Sequence, residues 1–383
     1  MAGNTIGLGI IGGGGAFGRF IASALPLVSG LEMRAIAGTN ETRTRQAAET
    51  LAVSRWTLNY HDLIADPAVD IVVVASPPHL HAEMALAAIR AGKAAFIEKP
   101  LATTIDDGLL LLEESHRRNV PATIDYVMRY SPLYRAARQI VEAKLLGALR
   151  RMDFRNDAGD EGLADDHWFW DRTKSGGIFV EHGVHFFDVY GWLAGSVPLD
   201  VNGLALMRDA TDKQDVVHAD VRYENGVLGT YTHAFDKPSR LESQEGLLTF
   251  DRGSIRIHGW TPVRLDLSGM VTASERSQLG TIPGMQLDTV EQFPSGQTMR
   301  GRGERFTVEY LVRGTLTPHA DSQELYRRAV GAALADLVAT IRDPQHRQEV
   351  TLDDAMLSLA MACVAAGTAE RGDLQRVVDV LRR

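Results

Sequence analysis

The order of apolar and polar positions divides the chain into two parts of different character. From residue 5 to about 126, short apolar runs rich in β-branched residues alternate with longer stretches whose apolar positions recur at helical spacing. The predicted strands are 5–11, 33–38, 70–76, 94–98 and 122–126, and the predicted helices between them include 81–93 and 104–119. Continuous apolar strands separated by helices predict a parallel sheet covered by helices on both faces.

After a predicted helix at 132–144, the pattern changes to the alternation of strands with one buried face, as in DVVHADVRY and VLGTYTHAF. These runs predict a mixed or antiparallel sheet. Two helical stretches, 323–343 and 352–372, follow it, and the Gly-, Ser-, Thr- and Pro-rich residues 270–305 are predicted to be a long loop or insertion. We expect domains at 1–126 and 127–383, with the option that the C-terminal helices pack back on the first domain.

Composition narrows the classes of protein that fit this pattern. A length of 383 residues favours two domains, and a net charge of -9 without a basic run or stripe argues against a nucleic-acid partner. No apolar run approaches the roughly 20 residues that cross a bilayer, and the start of the chain lacks the charged region of a secretory signal. The single Cys363 excludes a disulfide within the chain. We therefore expect a cytoplasmic protein that does not associate with membranes.

A glycine-rich segment follows the first predicted strand. Residues 9–18 read GIIGGGGAFG, in which Gly13-x-Gly15-x-x-Gly18 matches the dinucleotide fingerprint between a strand and a helix. Glycines there allow a tight turn, close approach of the backbone to a pyrophosphate and close helix packing. In an alternative register, Gly12 and Gly14 also contribute to these functions. The residues assigned to the cofactor here are Gly13, Gly15, Ala16, Phe17 and Gly18.

The end of the second predicted strand bears on the choice between NAD and NADP. The acidic residue that would bind a ribose 2′-hydroxyl is missing; Thr39 and Asn40 stand in its place, and Arg43 and Arg45 follow. Arginine pairs with a 2′-phosphate, whereas a carboxylate repels it, so the segment favours NADP over NAD. The alternative is that both arginines only solvate a helix face.

Polar residues also follow the later predicted strands, at the sheet edge where doubly wound proteins bind ligands. Glu98 and Lys99 open the segment EKPLA, and Lys99 is the first candidate catalytic residue. Four more residues at this edge are assigned to cofactor or substrate, namely Ser76, Pro77, Asp125 and Arg129. His81 is assigned to the cofactor as well, although helix capping or packing also explains a histidine there.

The segment 176–195 predicts an apolar helix with one polar stripe. Glu181, His185 and Asp188 recur at i, i+4 and i+7, which indicates a polar cleft. A metal site from Glu181, His182 and His185 is disfavoured because adjacent helix residues diverge, so no metal is expected.

An aromatic segment precedes that helix. DDHWFWDR contains Trp168, Trp170 and Arg172, which suit stacking on a sugar ring and hydrogen bonding to its hydroxyls. An aromatic core cluster under a loop is the alternative.

Together, the glycine fingerprint, SPPHLHAEMALAAIRAGK, EKPLA and GGIFVEHGVHFFD resemble the glucose-fructose oxidoreductase, inositol dehydrogenase and rhizopine-catabolism (Gfo/Idh/MocA) family. The resemblance covers residues 5 to about 195. It implies an α/β fold, in which a Rossmann domain with a doubly wound parallel sheet precedes an α/β domain with a large, open-faced, mostly antiparallel sheet. It also implies homodimers or homotetramers. The family lysine corresponds to Lys99, and its Asp-x-Gly-x-His-x-x-Asp pattern falls on Glu181, His185 and Asp188, with Glu in place of the first Asp.

The chemistry of these residues agrees with that resemblance. Oxidation of an alcohol needs a base for the hydroxyl proton and a cation beside the developing alkoxide. We assign His185 as the proton acceptor, Lys99 as the cation and Glu181 as the group that positions them, with a sugar, cyclitol or related polyol as substrate. Two alternatives stay open: a glycosidase or lyase that keeps NAD bound and oxidises transiently, and a non-catalytic dinucleotide sensor.

Overall fold

A computed structural model describes residues 5–208, 211, 213–371 and 375–376. The chain forms two compact units, each built from three chain segments. The first contains described residues of Met1–Tyr130, Asp165–Asp188 and Tyr326–Cys363, and the second those of Ser131–Ala164, Val189–Leu325 and Val364–Arg383. The division at residue 126 stays a prediction about domains.

The first unit contains a six-stranded sheet in which every pair of neighbours is parallel. Its strands are β1 (Ile6–Ile11), β2 (Leu31–Ala37), β3 (Arg55–Thr57), β4 (Ile71–Val74), β5 (Ala94–Ile97) and β6 (Ala122–Ile124). The order β3-β2-β1-β4-β5-β6 is that of a doubly wound dinucleotide-binding fold. Strands β1, β4, β5 and β6 are buried along their whole length, which explains their continuous apolar sequences.

Helices connect these strands. They are α1 (Ala16–Ala24), α2 (Glu41–Thr50), α3 (Tyr60–Ala65), α4 (His81–Arg90) and α5 (Ile105–Arg118). Side-chain caps set two of their starts: Asn40 accepts a hydrogen bond from the Arg43 amide, and Thr104 accepts one from the Asp107 amide. The sequence pattern missed β3 because two of its three residues are exposed, and the strand therefore has no apolar periodicity.

The second unit is organised around a ten-stranded sheet. The remaining strands of the chain are β7 (Leu149–Gly159), β8 (Pro198–Met207), β9 (Gln214–Tyr223), β10 (Leu228–Lys237), β11 (Ser243–Phe250), β12 (Gly253–His258), β13 (Arg264–Val271), β14 (Met285–Gln292), β15 (Thr298–Gly301), β16 (Glu304–Thr307), β17 (Tyr310–Leu316) and β18 (Gln375–Arg376). The order is β14-β17-β13-β12-β11-β7-β10-β9-β8-β18, and β15 pairs only with β16. Of the pairings in this large sheet, β7 with β10 is parallel and the others are antiparallel. The predicted fold class is confirmed.

The remaining helices are α6 (Pro132–Glu142), α7 (Arg172–Ser175), α8 (Val184–Ala194), α9 (Ala273–Gly280), α10 (Ser322–Arg342) and α11 (Leu352–Arg371). A π-helical turn, Phe179–Gly183, directly precedes α8, so the predicted helix at 176–195 is interrupted. The predicted end of the last helix, Gly372, lies outside the described residues.

The prediction of a long loop at 270–305 is wrong. The segment contains α9, β14 and β15, and β14 forms an antiparallel ladder with β17 whose register shifts between Thr289 and Glu291. Strand β14 is the edge of the sheet, and most of its residues are exposed. Its backbone hydrogen bonds define it as a strand, whereas the missing buried face removed the alternation that sequence analysis relies on.

Helix α11 corrects another expectation. It has the length and composition to cross a membrane, with a mean hydropathy of 1.3 over its most apolar window, although the sequence was expected to contain no such run. Of that window, 61% is buried inside the protein. A mostly buried apolar helix is typical of a protein core, and the helix by itself is weak evidence for a membrane.

Segments distant in sequence complete the core of the first unit. The Thr123 hydroxyl donates to the carbonyl oxygen of Val350 at 2.8 Å, and the hydroxyls of Tyr126 and Ser358 are 2.6 Å apart. Gly108 of α5 lies so close to Met356 that a Cβ there would be 2.8 Å from its sulfur. The strand ends of the parallel sheet are thus packed against the segment that contains α11.

Candidate active site

A glycine turn joins β1 to α1 at the carboxyl edge of the parallel sheet. Gly12 adopts a positive φ of +87°, and a Cβ on it would overlap the carbonyl oxygen of Ala75. A Cβ on Gly18 would lie 2.6 Å from the carbonyl oxygen of Gly12. By contrast, Cβ atoms on Gly14 and Gly15 would have their nearest contacts at 3.4 and 3.1 Å. The tight-turn requirement therefore falls on Gly12, as the alternative register allowed, and Gly18 is needed for close packing.

The glycine turn forms one wall of a cleft of about 240 Å³. Thr39, Asn40 and Arg43 line it from the end of β2, and Ser76 and Pro77 line it from the end of β4. The structure thus brings five of the sequence-assigned cofactor residues to one cleft with the glycine turn. Of the other assigned residues, Gly13 lies under the turn against Ile36, Ala16 is the first residue of α1, and Phe17 is half-exposed on its first turn.

The cleft has the features that a dinucleotide needs. The bare backbone of Gly14 and Gly15 faces it, next to the start of α1, where free amides and the helix dipole attract a phosphate. The Ser76 hydroxyl is buried at the cleft and has no hydrogen-bond partner within the described residues. A buried orphan hydroxyl is costly unless a ligand satisfies it. The residues of this cleft fit a nicotinamide dinucleotide.

Arg43 and Arg45, which were given the same role from the sequence, have different surroundings in the structure. Arg43 lines the cleft, whereas Arg45 points toward Glu49, with its nitrogen 3.9 Å from the carboxylate. Arg43 also lines a neighbouring concavity with Arg19, whose guanidinium donates to the carbonyl oxygen of Gly14 at 2.5 Å. Sequence analysis missed Arg19, although its place directly after the last glycine of the fingerprint is a usable signal.

Sequence analysis also missed the apolar side of the cleft. Leu80, which ends the turn before α4, and Met84 of α4 line it, and Leu58 and Tyr60 line it from the chain after β3. The Tyr60 hydroxyl donates to the Glu83 carboxylate at 2.6 Å, and burial followed by that carboxylate raises the pKa of Tyr60 to about 12. The spacing of Leu80 and Met84 on one helix face was the available signal.

Lys99 is held by two oxygens of one residue. Its amine forms an ion pair with the Glu181 carboxylate and donates to the Glu181 backbone carbonyl at 2.8 Å. Both side chains are largely buried, with 9% of Lys99 and 11% of Glu181 exposed. Glu181 lies in the π-helical turn, a feature that often marks functional sites. The longer Glu side chain at this position therefore contacts the lysine directly.

His185 follows in the first turn of α8 and is buried. Its ring lies 6.0 Å from the ring of Tyr126, measured between centroids. Tyr126 comes directly after Asp125 at the end of β6, so the histidine lies beside the carboxyl edge of the sheet.

Glu98 and Asp125 are buried at neighbouring strand ends, where 5% and 1% of each residue is exposed. Burial is the largest cause that raises the pKa of Glu98, to about 7, while the charge of Lys99 opposes it. Burial, followed by the Glu98 charge, raises the pKa of Asp125 well above its usual range. These two acids are the most perturbed carboxyl groups around Lys99.

The assignment of Arg129 to substrate binding stays a prediction, and the structure shows contacts of its side chain within the protein. Its guanidinium is buried and forms two hydrogen bonds, of 2.9 and 2.6 Å, with the Asp188 carboxylate. It also donates to the carbonyl oxygen of Glu349 at 3.0 Å and lies 3.1 Å from the Asp354 carboxylate. These contacts hold the guanidinium among carboxylate and carbonyl oxygens of the protein. Burial raises the pKa of Asp188 to about 6, against the lowering effect of Arg129.

The assignment of His81 to the cofactor also stays a prediction, and the structure shows contacts of its ring within the protein. The residue is buried, and its two ring nitrogens lie 2.7 Å from the carbonyl oxygens of Pro100 and Ser76. Burial is the main cause that lowers the pKa of His81. His81 thus ties the loop after β4 to the loop after β5, as the packing alternative predicted.

The aromatic segment lies in the same unit. Trp168 and Trp170 are half-buried on a short 3₁₀ turn, Phe169 between them is buried, and Arg172 is exposed. Helix α7, which follows, packs against the turn Pro78–Leu80 beside the cleft. The two tryptophans and Arg172 are therefore accessible on a segment that contacts the cleft wall.

Within the described ranges, no group of three or more His, Cys, Asp and Glu side chains is arranged to hold a metal ion. Glu181 is engaged with the Lys99 amine, the His81 ring with backbone carbonyl oxygens, and the Arg129 guanidinium with Asp188.

Comparison with known proteins identifies the family. The profile described as "Oxidoreductase family, NAD-binding Rossmann fold" matches residues 6–126, and the "GFO/IDH/MocA C-terminal domain" profile matches residues 134–259. The chain is 30% identical to inositol 2-dehydrogenase 2 of Saccharopolyspora erythraea over 259 residues, which cover 66% of this chain and 74% of that protein.

Other relatives agree. Scyllo-inositol 2-dehydrogenase (NAD(+)) of Bacillus subtilis is 25% identical over 176 residues, so the match spans 46% of this chain and 50% of that protein. The structure of a levoglucosan dehydrogenase with NADH and L-sorbose superposes with a TM-score of 0.78 and 19% identity, over 98% of this chain and 99% of that one. At that identity the structural likeness shows the fold alone. Because two family profiles together match most of the chain, in the order of its sequence, the protein belongs to the Gfo/Idh/MocA family of oxidoreductases with an NAD-binding Rossmann fold.

Proposed function

We propose that this protein is an NAD(P)-dependent oxidoreductase that transfers hydride between the nicotinamide and a CH–OH carbon of a sugar, cyclitol or related polyol. The observation that carries the proposal is the buried Lys99 amine, fixed by Glu181 at the sheet edge that also forms the dinucleotide cleft. The names of the relatives, which include inositol and levoglucosan dehydrogenases, support this class of substrate.

Lys99 is suited to stabilise the charge that develops on the reacting oxygen. An ammonium group has three N–H donors, and Glu181 uses two of them through its carboxylate and its carbonyl. The third is left for the hydroxyl or keto oxygen of the substrate. A preorganised cation in a largely buried site costs no reorganisation during the reaction, so its electrostatic effect is large.

His185 is the proposed proton acceptor in oxidation and the proton donor in reduction. A ring nitrogen of imidazole can accept a proton and return it, which suits a general acid and base. When bound, the nicotinamide supplies the hydride chemistry. Glu181 orients Lys99, and the half-buried Trp168 and Trp170, with Arg172, are proposed to contact the polyol.

The role of Lys99 is tested by Lys99→Ala. We expect kcat to fall by about 10²- to 10³-fold, because the charge on the reacting oxygen loses its partner. The dissociation constant for the reduced cofactor, measured by nicotinamide fluorescence, should stay within about threefold, since Glu98 and Lys99 lie outside the residues that line the cleft. Lys144→Ala, at an exposed lysine in the second unit, is the control. Comparable losses of kcat and cofactor affinity would show that Lys99 holds the cofactor and does no chemistry.

The same assay separates the two alternative functions. A panel of sugars and cyclitols is followed through nicotinamide absorbance, with product analysis in parallel. Net reduction of the cofactor supports the dehydrogenase. Product without net reduction indicates the lyase or glycosidase, and function that survives Lys99→Ala but not fingerprint substitutions indicates the sensor.

We further propose a preference for NADP over NAD. Arg43 lines the cleft and Arg19 lies beside it, and both guanidinium groups suit a phosphate on the adenosine ribose. Three solved structures of similar fold contain NAD or NADH, so this preference would set the chain apart from those three proteins.

Arg43→Ala tests the cofactor preference. Loss of a charge-assisted contact should weaken NADPH binding by about tenfold or more while changing NADH binding little. Arg45→Ala is the matched control, because Arg45 faces Glu49 on the same helix. An equal loss of affinity for NADPH and NADH would indicate that Arg43 contacts the pyrophosphate. Unchanged affinity for both cofactors would contradict a role of Arg43 in the preference for NADP.

A homodimer or homotetramer and a cytoplasmic location complete the proposal. Light scattering of the purified chain would measure the assembly, and a monomer at micromolar concentration would contradict it.

A further inference from the structure

Two carboxyl groups meet behind Lys99 because two parallel strands end in register. Ile97 of β5 is paired with Ile124 of β6, and Glu98 and Asp125 are the next residue on each strand. The Asp125 amide donates to the carbonyl oxygen of Ile97 at 2.8 Å, so the ladder continues to the level of the two acids. Their side chains therefore start from neighbouring positions on adjacent strands.

Neither oxygen of Asp125 has a hydrogen-bond donor among the described residues. The strand register places the Glu98 carboxyl on the adjacent strand beside it, and the Glu98 charge raises the pKa of Asp125. Two ionised carboxylates cannot hydrogen bond to each other, whereas a carboxylic acid donates to a carboxylate. A buried carboxylate without any donor would carry a large desolvation cost.

The charges around Glu98 and Asp125 also favour one proton on the pair. The titratable groups that face it are Lys99 from the same loop, Glu181 from the π-helical turn and Tyr326 from α10. If Glu98, Asp125 and Glu181 were all ionised, three buried negative charges would face the single positive charge of Lys99. One proton on the pair reduces the net charge of this group from -2 to -1.

We propose that Glu98 and Asp125 share one proton and act together as a positioning element that presents a single negative charge to Lys99. Glu98 accepts a hydrogen bond from the Lys99 amide at 3.2 Å, which links the pair to the backbone of the lysine. The raised pKa values of both acids agree with retention of a proton near neutral pH. Like charges that share a site titrate as a unit, so the proton belongs to the pair and not to either residue.

Infrared spectroscopy of the full chain tests the shared proton without any substrate. At pH 7.5, above the range in which Asp188 titrates, the wild type should show the carbonyl band of a protonated carboxylic acid. The band should be lost in Glu98→Gln and also in Asp125→Asn, because the new amide donates to the remaining carboxylate, which then ionises. Asp106→Asn, at an exposed acid of α5, should keep the band.

The outcomes that overturn the proposal are distinct. Absence of the band in the wild type means that the pair carries no proton, and a band that survives in either single variant assigns the proton to one residue alone. If a variant does not fold by circular dichroism, the wild-type titration decides, since the band must persist through neutral pH and disappear only at alkaline pH.

Stability gives a second readout, and its sign follows from the raised pKa of Glu98. The folded protein keeps the shared proton through neutral pH, whereas an unfolded Glu releases its proton near pH 4.5, so the contribution of the pair to stability falls as the pH rises through that window. Glu98→Gln should therefore become more stable relative to the wild type between pH 5 and pH 8. A constant difference across that range would contradict a proton on the pair.

The positioning role has its own measurements. In nitrogen-15 lysine spectra, the Lys99 signal, assigned by its loss in Lys99→Ala, should shift its titration in both pair variants but not in Asp106→Asn. A Lys99 signal that ignores both variants overturns the role. A kinetic measurement of the same role rests on the proposed function. In both pair variants, the alkaline limb of the pH profile of kcat/KM should move by about one pH unit. Absence of any dehydrogenase activity would contradict the proposed function, whereas the spectroscopic test of the shared proton would remain valid.

Discussion

At the scale of single residues, the glycine run contains positions with different tasks. Gly12 carries the positive φ and the contact with Ala75, whereas Gly14 meets only ordinary contacts and faces the cleft. Sequence analysis recognised the run as a fingerprint, but spacing alone placed the essential turn one residue too late. Whether a glycine tolerates a Cβ depends on the space around its Cα, and only the folded chain defines that space.

Alanine substitutions separate these tasks. Gly12→Ala should lower the free energy of unfolding by about 2 kcal/mol or more, because a Cβ is strained at positive φ and overlaps a carbonyl oxygen. Gly14→Ala should fold with nearly wild-type stability and bind the dinucleotide less tightly. Denaturant titrations and cofactor fluorescence measure the two effects. A stable Gly12→Ala protein would show that the turn adapts.

At the scale of elements, the π-helical turn Phe179–Gly183 is the feature that the sequence pattern could not reveal. Regular helical spacing predicted a polar stripe of Glu181, His185 and Asp188. The structure places Glu181 in the π-helical turn and the other two residues in α8. The widened turn additionally leaves the Glu181 carbonyl available to Lys99. One residue thus supplies both a carboxylate and a carbonyl to the amine.

Glu181→Asp tests how that turn positions the lysine. The shorter side chain withdraws the carboxylate by one methylene, while the backbone carbonyl still accepts from Lys99. We expect kcat/KM to fall by about 10- to 100-fold, because small displacements in a reacting site are costly. Circular dichroism and cofactor affinity should remain near wild type. Full activity would mean that the carbonyl alone suffices to hold the amine.

Strands at the edge of a sheet are difficult to predict from the alternation of apolar and polar residues. Strand β14 was missed because its residues are exposed, and short β3 for the same reason. Buried strands such as β1 and β4 were predicted well, since burial on both faces selects an unbroken apolar run.

At the scale of the whole molecule, Arg129 joins chain segments that are far apart in sequence. It contacts Asp188, Glu349 and Asp354, all within the first compact unit. Because the guanidinium and the Asp188 carboxylate are buried together, removal of one partner leaves the other charge unpaired in the core.

Arg129→Met should therefore destabilise the fold strongly. We expect a loss of about 3–5 kcal/mol in the free energy of unfolding, measured by denaturant titration. Arg34→Ala, which breaks the exposed pair with Glu32, should cost less than about 1 kcal/mol. A small effect of Arg129→Met would show that the surrounding residues rearrange to cover Asp188.

The sequence by itself determined the alternation of strands and helices, the place of the glycine turn and the presence of Lys99, Glu181 and His185. These features are local, because helix and strand periods and turn residues act over a few positions. Only the tertiary structure decided that Lys99 meets Glu181, that Glu98 and Asp125 lie side by side, and that Arg129 and His81 are satisfied internally. Contacts across 82 positions, as between Lys99 and Glu181, depend on which surfaces pack together, and no local period encodes that.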